Sequence, residues 1–244
     1  MTDQASARAA HVDTGGVYER TRLAMVATIQ ALTVAQCEQL VPATPEWRVR
    51  DVLAHVVGLA ADLNAQRFPT ADDAGGAAWS RQQVESRRDM PIEQLVAEWA
   101  REAPAFEGGL RLFGYVEGSH FVADLHAHHQ DVRGALGLGR DDDPLTVAVA
   151  LDHYAGYLGQ LLTDAAWGTV EIEAGGEVRV AGGAGPRHAR VSASAFDVLR
   201  AVSARRSPAQ IRALGWTGDV EELLALLQSA LSGGYSLPVA DVVE

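Results

Sequence analysis

The chain has 244 residues, 48% of them hydrophobic and with both signs of charge dispersed, enough to bury a real core in one large or two small domains. Its formal charge of -12 argues against a nucleic-acid partner, because binding a phosphate backbone draws on clustered Lys and Arg. No stretch approaches the run of roughly eighteen apolar residues that a membrane span needs, MTDQASARAAHVD lacks the apolar core of a signal peptide, and Cys37 is the single cysteine, so a soluble, cytoplasmic protein with neither an internal disulfide nor a cysteine-rich zinc site is expected.

Residues 1 to 13 are small and polar and read as a loose lead-in. From Val17 to Leu40 the positions Met25, Ile29 and Leu32 recur at helical spacing, predicting a first long helix that Pro42 and Pro45 end; Cys37 reads as a small, partly buried residue within it. Trp47 precedes a second helix whose buried face is Val52, Val56, Leu59 and Leu63, with His55 at its border. FPTADDAGGAA, residues 68 to 78, reads as a loop, and Trp79 to Arg88 as a short polar helix. Pro91 opens a third long helix with Ile92, Leu95, Val96, Trp99 and Phe106 as its stripe, closed by Gly108 and Gly109. Residues 110 to 120 read as a connector to a helix over 121 to 136, FVADLHAHHQDVRGAL, and Val147, Leu151, Tyr154, Leu158 and Leu161 mark a further helix. Long helices joined by short connections predict an antiparallel four-helix bundle with its site built from facing side chains.

Near residue 168 the pattern changes. Thr169 to Ala174 alternates at a period of two, Gly175 and Gly176 make a hairpin turn, and Glu177 to Ala181 alternates again. A third alternating stretch, Ala189 to Ser194, runs into a helix over Ala195 to Ala204; Ser207 and Pro208 start a short helical segment, and a last helix spans Val220 to Leu231. The expected fold class is α+β, with a helical bundle over residues 1–166 and a small mixed α/β domain over residues 167–244.

The helix over 121 to 136 carries the chemistry. Phe121, Leu125, Val132 and Leu136 face a core, while Asp124, His128 and Asp131 share a stripe at spacings of four and three. A carboxylate and an imidazole one turn apart can hold one metal ion but supply only two ligands. His55 is the best candidate for the third, set against the ordinary reading of a lone helix histidine as a hydrogen-bonded core residue. Two nitrogens and one oxygen suit Zn²⁺ or another divalent first-row metal with positions left open. Asp131 has two readings, an outer carboxylate that fixes an imidazole tautomer or a solvated charge paired with Arg133. By helix geometry His126 and His129 lie off the stripe of His128 and are expected to point away.

The combination of Trp47-Arg-Val-Arg-Asp-Val-Leu-Ala-His55 with Asp124-Leu-His-Ala-His128-His-Gln-Asp131-Val-Arg133 resembles the mycothiol-dependent maleylpyruvate isomerase family. Trp79-Ser-Arg-Gln-Gln-Val is similar to a segment of the family's middle region, and Ser194 to Arg200, Arg205-Arg-Ser and Trp216-Thr-Gly-Asp219 are similar to its smaller C-terminal domain. The resemblance implies a DinB-like four-helix bundle at the N-terminus and a divalent metal, most often zinc, held by His55, Asp124 and His128. The founding isomerases have Glu at the position of Asp124, one methylene longer, which leaves direct or water-bridged ligation by Asp124 open.

The resemblance also implies mycothiol as the thiol cosubstrate, with a small electrophile as its partner. A cation favours a thiolate, the effective nucleophile, and Cys37 is not placed to supply one. Isomerisation of a dicarboxylate calls for arginines, which Arg205 and Arg206 could provide, although solvation at the surface is the ordinary fate of such residues. A metal-dependent, transferase-like or isomerase-like enzyme is therefore expected, the transferase favoured; the alternative is a non-catalytic metal- or ligand-binding module, regulatory in role, with the same fold. A DinB-like relative that has lost its metal is the third reading.

Overall fold

The computed structural model describes residues 3–70, 73, 76–230 and 237–244. Its elements show an α+β chain, a bundle of long helices and a small mixed sheet carrying its own helices. Two compact units divide it: one takes residues 13–118, 125–141 and 243–244, the other residues 1–12, 119–124 and 142–242.

The first unit is built on α2 (Thr14–Gln30), α4 (Val49–Asn64), α6 (Ile92–Phe113) and the greater part of α7 (Tyr115–Ala135). Asp13 caps α2 by accepting from the Gly16 N–H. Tyr18 of α2 packs on Phe106 of α6 with ring centroids 5.0 Å apart, and the buried Arg22 holds Glu107 of α6 at 2.7 Å, so an apolar and an ionic contact fix the same helix pair. Leu95, Trp99, Ala103, Phe106 and Leu110 form the inner stripe of α6. Gly118 lies where a Cβ would come within 2.1 Å of the Thr14 hydroxyl oxygen, so the start of α7 can touch α2 only as glycine.

The connections differ from the sequence expectation. The predicted helix from Val17 to Leu40 stops at Gln30, and α3 (Val34–Cys37) restarts behind a capping box of Thr33 and Gln36. Leu40–Val41 (β1) then pairs antiparallel with Thr44–Arg48 (β2), a turn that Pro42 and Pro45 permit because each removes a donor a helix would need. Gly108 and Gly109 do not end α6, which continues to Phe113 because Leu110 is buried; Gly114, at φ +85°, makes the break. Helix α5 (Ala77–Glu85) follows a loop in which residues 71, 72, 74 and 75 lie outside the described residues, and Asp73 accepts from the Ala78 and Trp79 N–H groups at its start.

The second unit holds a four-stranded sheet in the order β4-β3-β5-β6, with β3 (Gly168–Ala174), β4 (Glu177–Gly182), β5 (Arg187–Ala193) and β6 (Trp216–Gly218). The β3–β4 hairpin turns on Gly175 and Gly176, both at positive φ, which suits the twist of a two-residue turn. Strands β3 and β5 run parallel, and β6 is antiparallel to β5. Val170 and Ile172 face Leu158 and Leu162 of α8 (Pro144–Asp164) and Val198 and Leu199 of α9 (Ala195–Val202) in one core. Helix α10 (Pro208–Arg212) holds the chain end, where Gln210 donates to the Val242 carbonyl and accepts from its N–H. Helix α11 (Val220–Ala230) completes the unit; Leu231 and residues 232–236 of the expected helix end and tail lie outside the described residues.

The predicted loose lead-in is instead α1 (Asp3–His11). Arg8 donates from Nε and Nη2 to the two oxygens of Asp152 on α8, at 2.7 and 2.8 Å, and reaches Glu177 on β4 at 2.6 Å. Arg179 on β4 donates to the same Asp152 at 2.7 Å. A short polar segment is thus ordered by charge pairing rather than by helical propensity.

Candidate metal site

Helix α7 is buried on nearly all sides from Val122 to Val132, which is unusual for a segment carrying three histidines and two aspartates. Within it, Asp124 and His128 are one turn apart, and His55 comes from the middle of α4, itself buried from Val52 to Asp62. His55, Asp124 and His128 each offer one ligand atom, and these atoms lie within 4.8 Å of one another. The His55 and His128 rings meet edge to face with centroids 4.9 Å apart. Two imidazoles and a carboxylate, mostly withdrawn from water, are a donor set that fits a divalent first-row cation.

The contacts behind the rings are consistent with that fit. His55 Nδ1 lies 2.8 Å from Gln83 Oε1 on α5, leaving Nε2 as the ligand atom. His128 Nδ1 lies 3.4 Å from Asp131 Oδ2, long for a hydrogen bond but close enough for the carboxylate to orient the ring. Asp131 is 1% exposed, whereas Arg133 donates to the carbonyls of Gly139 and Leu138, so Asp131 faces His128 and is not a solvated partner of Arg133. Trp47 of β2 covers both imidazoles, its ring 4.9 Å from that of His55 and 5.9 Å from that of His128.

His126 and His129 turn elsewhere. His126 Nε2 is 3.2 Å from the Asp141 carbonyl; His129 Nε2 is 3.1 Å from the Thr28 hydroxyl and its Nδ1 is 3.2 Å from the Asp141 carboxylate. Arg206 is buried, not solvated, and donates to the Arg205 carbonyl, while Arg205 donates to that of Ser203. Cys37 is buried at the end of α3, and burial pushes its thiol up, so the protonated form is favoured there. Gln83 and Trp47 stand in segments that carry the resemblance, but nothing in their residue type or spacing marks them as site residues; the fold brings them to His55.

In the second unit, His120 of α7 lies 3.2 Å from His153 of α8, Nδ1 to Nε2. Burial and then the neighbouring His120 push the His153 imidazole down to about 4, against the opposing pull of Asp124. In the unfolded chain a histidine takes its proton near pH 6.5. As pH falls from about 6.5 toward about 4 the unfolded state therefore binds the proton first and stability drops, by roughly 2–3 kcal/mol across that window. Denaturant unfolding at a series of pH values should show this slope, flattened in His153→Asn; an equal slope in both proteins would assign the acid sensitivity to other groups.

Residues 19–114 match the family model described as the mycothiol maleylpyruvate isomerase N-terminal domain, a span that contains His55 and ends before Asp124 and His128. Two solved structures share the fold: a mycothiol-dependent maleylpyruvate isomerase, at a TM-score of 0.52, and a histidine-to-alanine mutant of such an enzyme, at 0.51. Each is 12% identical in sequence, and the matches cover 79% of this chain and 88% of the other. No curated protein matches the sequence.

Proposed function

We propose, for a chain whose residues 19–114 match the model of the mycothiol maleylpyruvate isomerase N-terminal domain, a metal-dependent enzyme that joins a small-molecule thiol, mycothiol, to a small electrophile. The observation that supports this reading most is the approach of one ligand atom from each of His55, Asp124 and His128 to within 4.8 Å, with an acceptor behind each imidazole. When bound, a divalent cation supplies the charge that favours a thiolate over a thiol. His55 and His128 would hold it through Nε2 and Asp124 through a carboxylate oxygen, with Asp131 keeping the His128 ring aimed. Trp47 excludes water from one side of the two imidazoles, which strengthens the electrostatics there. An external thiol suits this reading, since Cys37 is buried and burial pushes its thiol up, away from the thiolate form.

Transfer is favoured over isomerisation. Recognition of a dicarboxylate would require guanidiniums to turn toward it, and Arg205 and Arg206 spend donors on nearby backbone carbonyls. In a transfer to a haloarene, sulfur forms the new bond to carbon, halide leaves with its bonding pair and the thiol proton goes to solvent. The full chain should consume mycothiol with such an electrophile faster than buffer does, only when zinc and mycothiol are both present. Stabilisation by zinc without thiol loss would replace this reading with a non-catalytic metal-binding module.

A further inference from the structure

A metal-binding histidine must present a deprotonated nitrogen, and which nitrogen that is depends on what the other one meets. For His55 the answer propagates through three residues. Gln83 Nε2 lies 3.3 Å from Asp62 Oδ2, and Asp62 Oδ1 in turn accepts from Arg67 Nε and Nη2 at 2.9 and 2.7 Å. An ionised carboxylate only accepts, so Asp62 requires the amide NH₂ of Gln83 to point at it. The Gln83 carbonyl must then point at His55, 2.8 Å away, and an acceptor there requires the proton on His55 Nδ1. We propose that Gln83, oriented by Asp62 and Arg67, is the positioning residue that sets the tautomer of His55 and so directs Nε2 to the metal site. The part concerning the metal rests on the functional reading above; the part concerning the tautomer does not.

The packing is arranged for this contact. Gln83 is 1% exposed and Asp62 9%, so both act where hydrogen bonds are strong and mispairing is costly. Gly58, one turn after His55 on α4, lies where a Cβ would come 2.6 Å from Gln83 Cβ and 2.9 Å from Arg87 Nη1. Only glycine lets α5 approach α4 closely enough for Gln83 to reach the imidazole. The outer end is wetter: the Arg67 side chain is 60% exposed and lines a groove of about 890 Å³ with Phe68, Trp79 and Arg87. The influence on His55 should therefore decline in the order Gln83, Asp62, Arg67.

The test is ¹⁵N NMR of His55 in the full chain, metal-free and above about pH 8, where an ordinary imidazole is neutral. Wild type should carry the proton on Nδ1. Gln83→Leu should move it to Nε2 or mix the two forms, and should weaken zinc binding by about 10- to 100-fold. Pairing Gln83→Glu with Asp62→Asn reverses the polarity of that link while keeping an acceptor at His55, and should restore both the Nδ1–H form and zinc affinity. A wild-type proton on Nε2, or an unchanged tautomer in folded Gln83→Leu, would overturn the inference. A wild-type Nδ1–H tautomer in a chain that binds no zinc would instead leave the inference standing and remove the functional reading.

Discussion

His128→Ala should leave the purified chain with less than about a tenth of the metal carried by wild type, and with zinc affinity reduced by more than the roughly 10- to 100-fold typical of losing an outer-shell contact. The protein offers three donors, so removing one leaves a carboxylate and an imidazole, too few to compete with water and buffer for a divalent cation. The same loss is expected for His55→Ala. His126→Ala is the control, because its ring is directed to the Asp141 carbonyl and its removal should leave metal content near wild type. Elemental analysis against protein concentration reads all three. Equal metal in His128→Ala and wild type would place the metal elsewhere, whatever the activity.

The second large effect is on stability. Asp152→Ala should lower unfolding free energy by about 3–5 kcal/mol, the usual consequence of leaving a buried charge without its partner. Asp152 accepts from both Arg8 and Arg179, whose side chains are 13% and 5% exposed against 6% for its own, so its loss leaves two guanidiniums facing one another with Glu177 alone between them. Asp152 is the main reason the Arg8 guanidinium is held even more firmly charged than usual. At about 2–4 °C per kcal/mol for a chain of this size, the melting temperature should fall by roughly 10 °C, and α1 should become sensitive to protease. By contrast, Glu85→Ala removes a fully exposed pair with Arg88 and should leave stability nearly unchanged. A shift that small for Asp152→Ala, measured by denaturant titration, would show that the network is not what holds α1.

These two sites were unequally legible in the sequence. The spacing of Asp124 and His128 is a property of one helix, so periodicity alone assigned them to a common face, and the period-two pattern of Val170, Ile172 and Ala174 marked β3 in the same way. His55 was harder: a histidine bordering an apolar stripe has no signal distinguishing a ligand from a core residue, and resemblance supplied what spacing could not. Arg8 and Asp152 were not legible at all. They are 144 residues apart, and a charge pattern cannot express a pairing over that separation, so a polar N-terminal stretch read as a lead-in and not as the helix the structure contains. The split of the first long helix at Gln30 has a local cause visible only in hindsight, the Thr33 and Gln36 capping box, which competes with continuation through Leu32. Gly108 and Gly109 misled in the opposite direction, because burial of Leu110 opposes the roughly 1 kcal/mol that each glycine costs a helix.

The proposed site requires two imidazoles from separate helices to reach the same ion. Zinc-edge X-ray absorption on the loaded full chain measures this directly. Two imidazole nitrogens at about 2.0–2.1 Å, accompanied by oxygen, is the predicted result, with that histidine-bound signal lost in His55→Ala. A shell of oxygen alone, or spectra that coincide for wild type and His55→Ala, would contradict it.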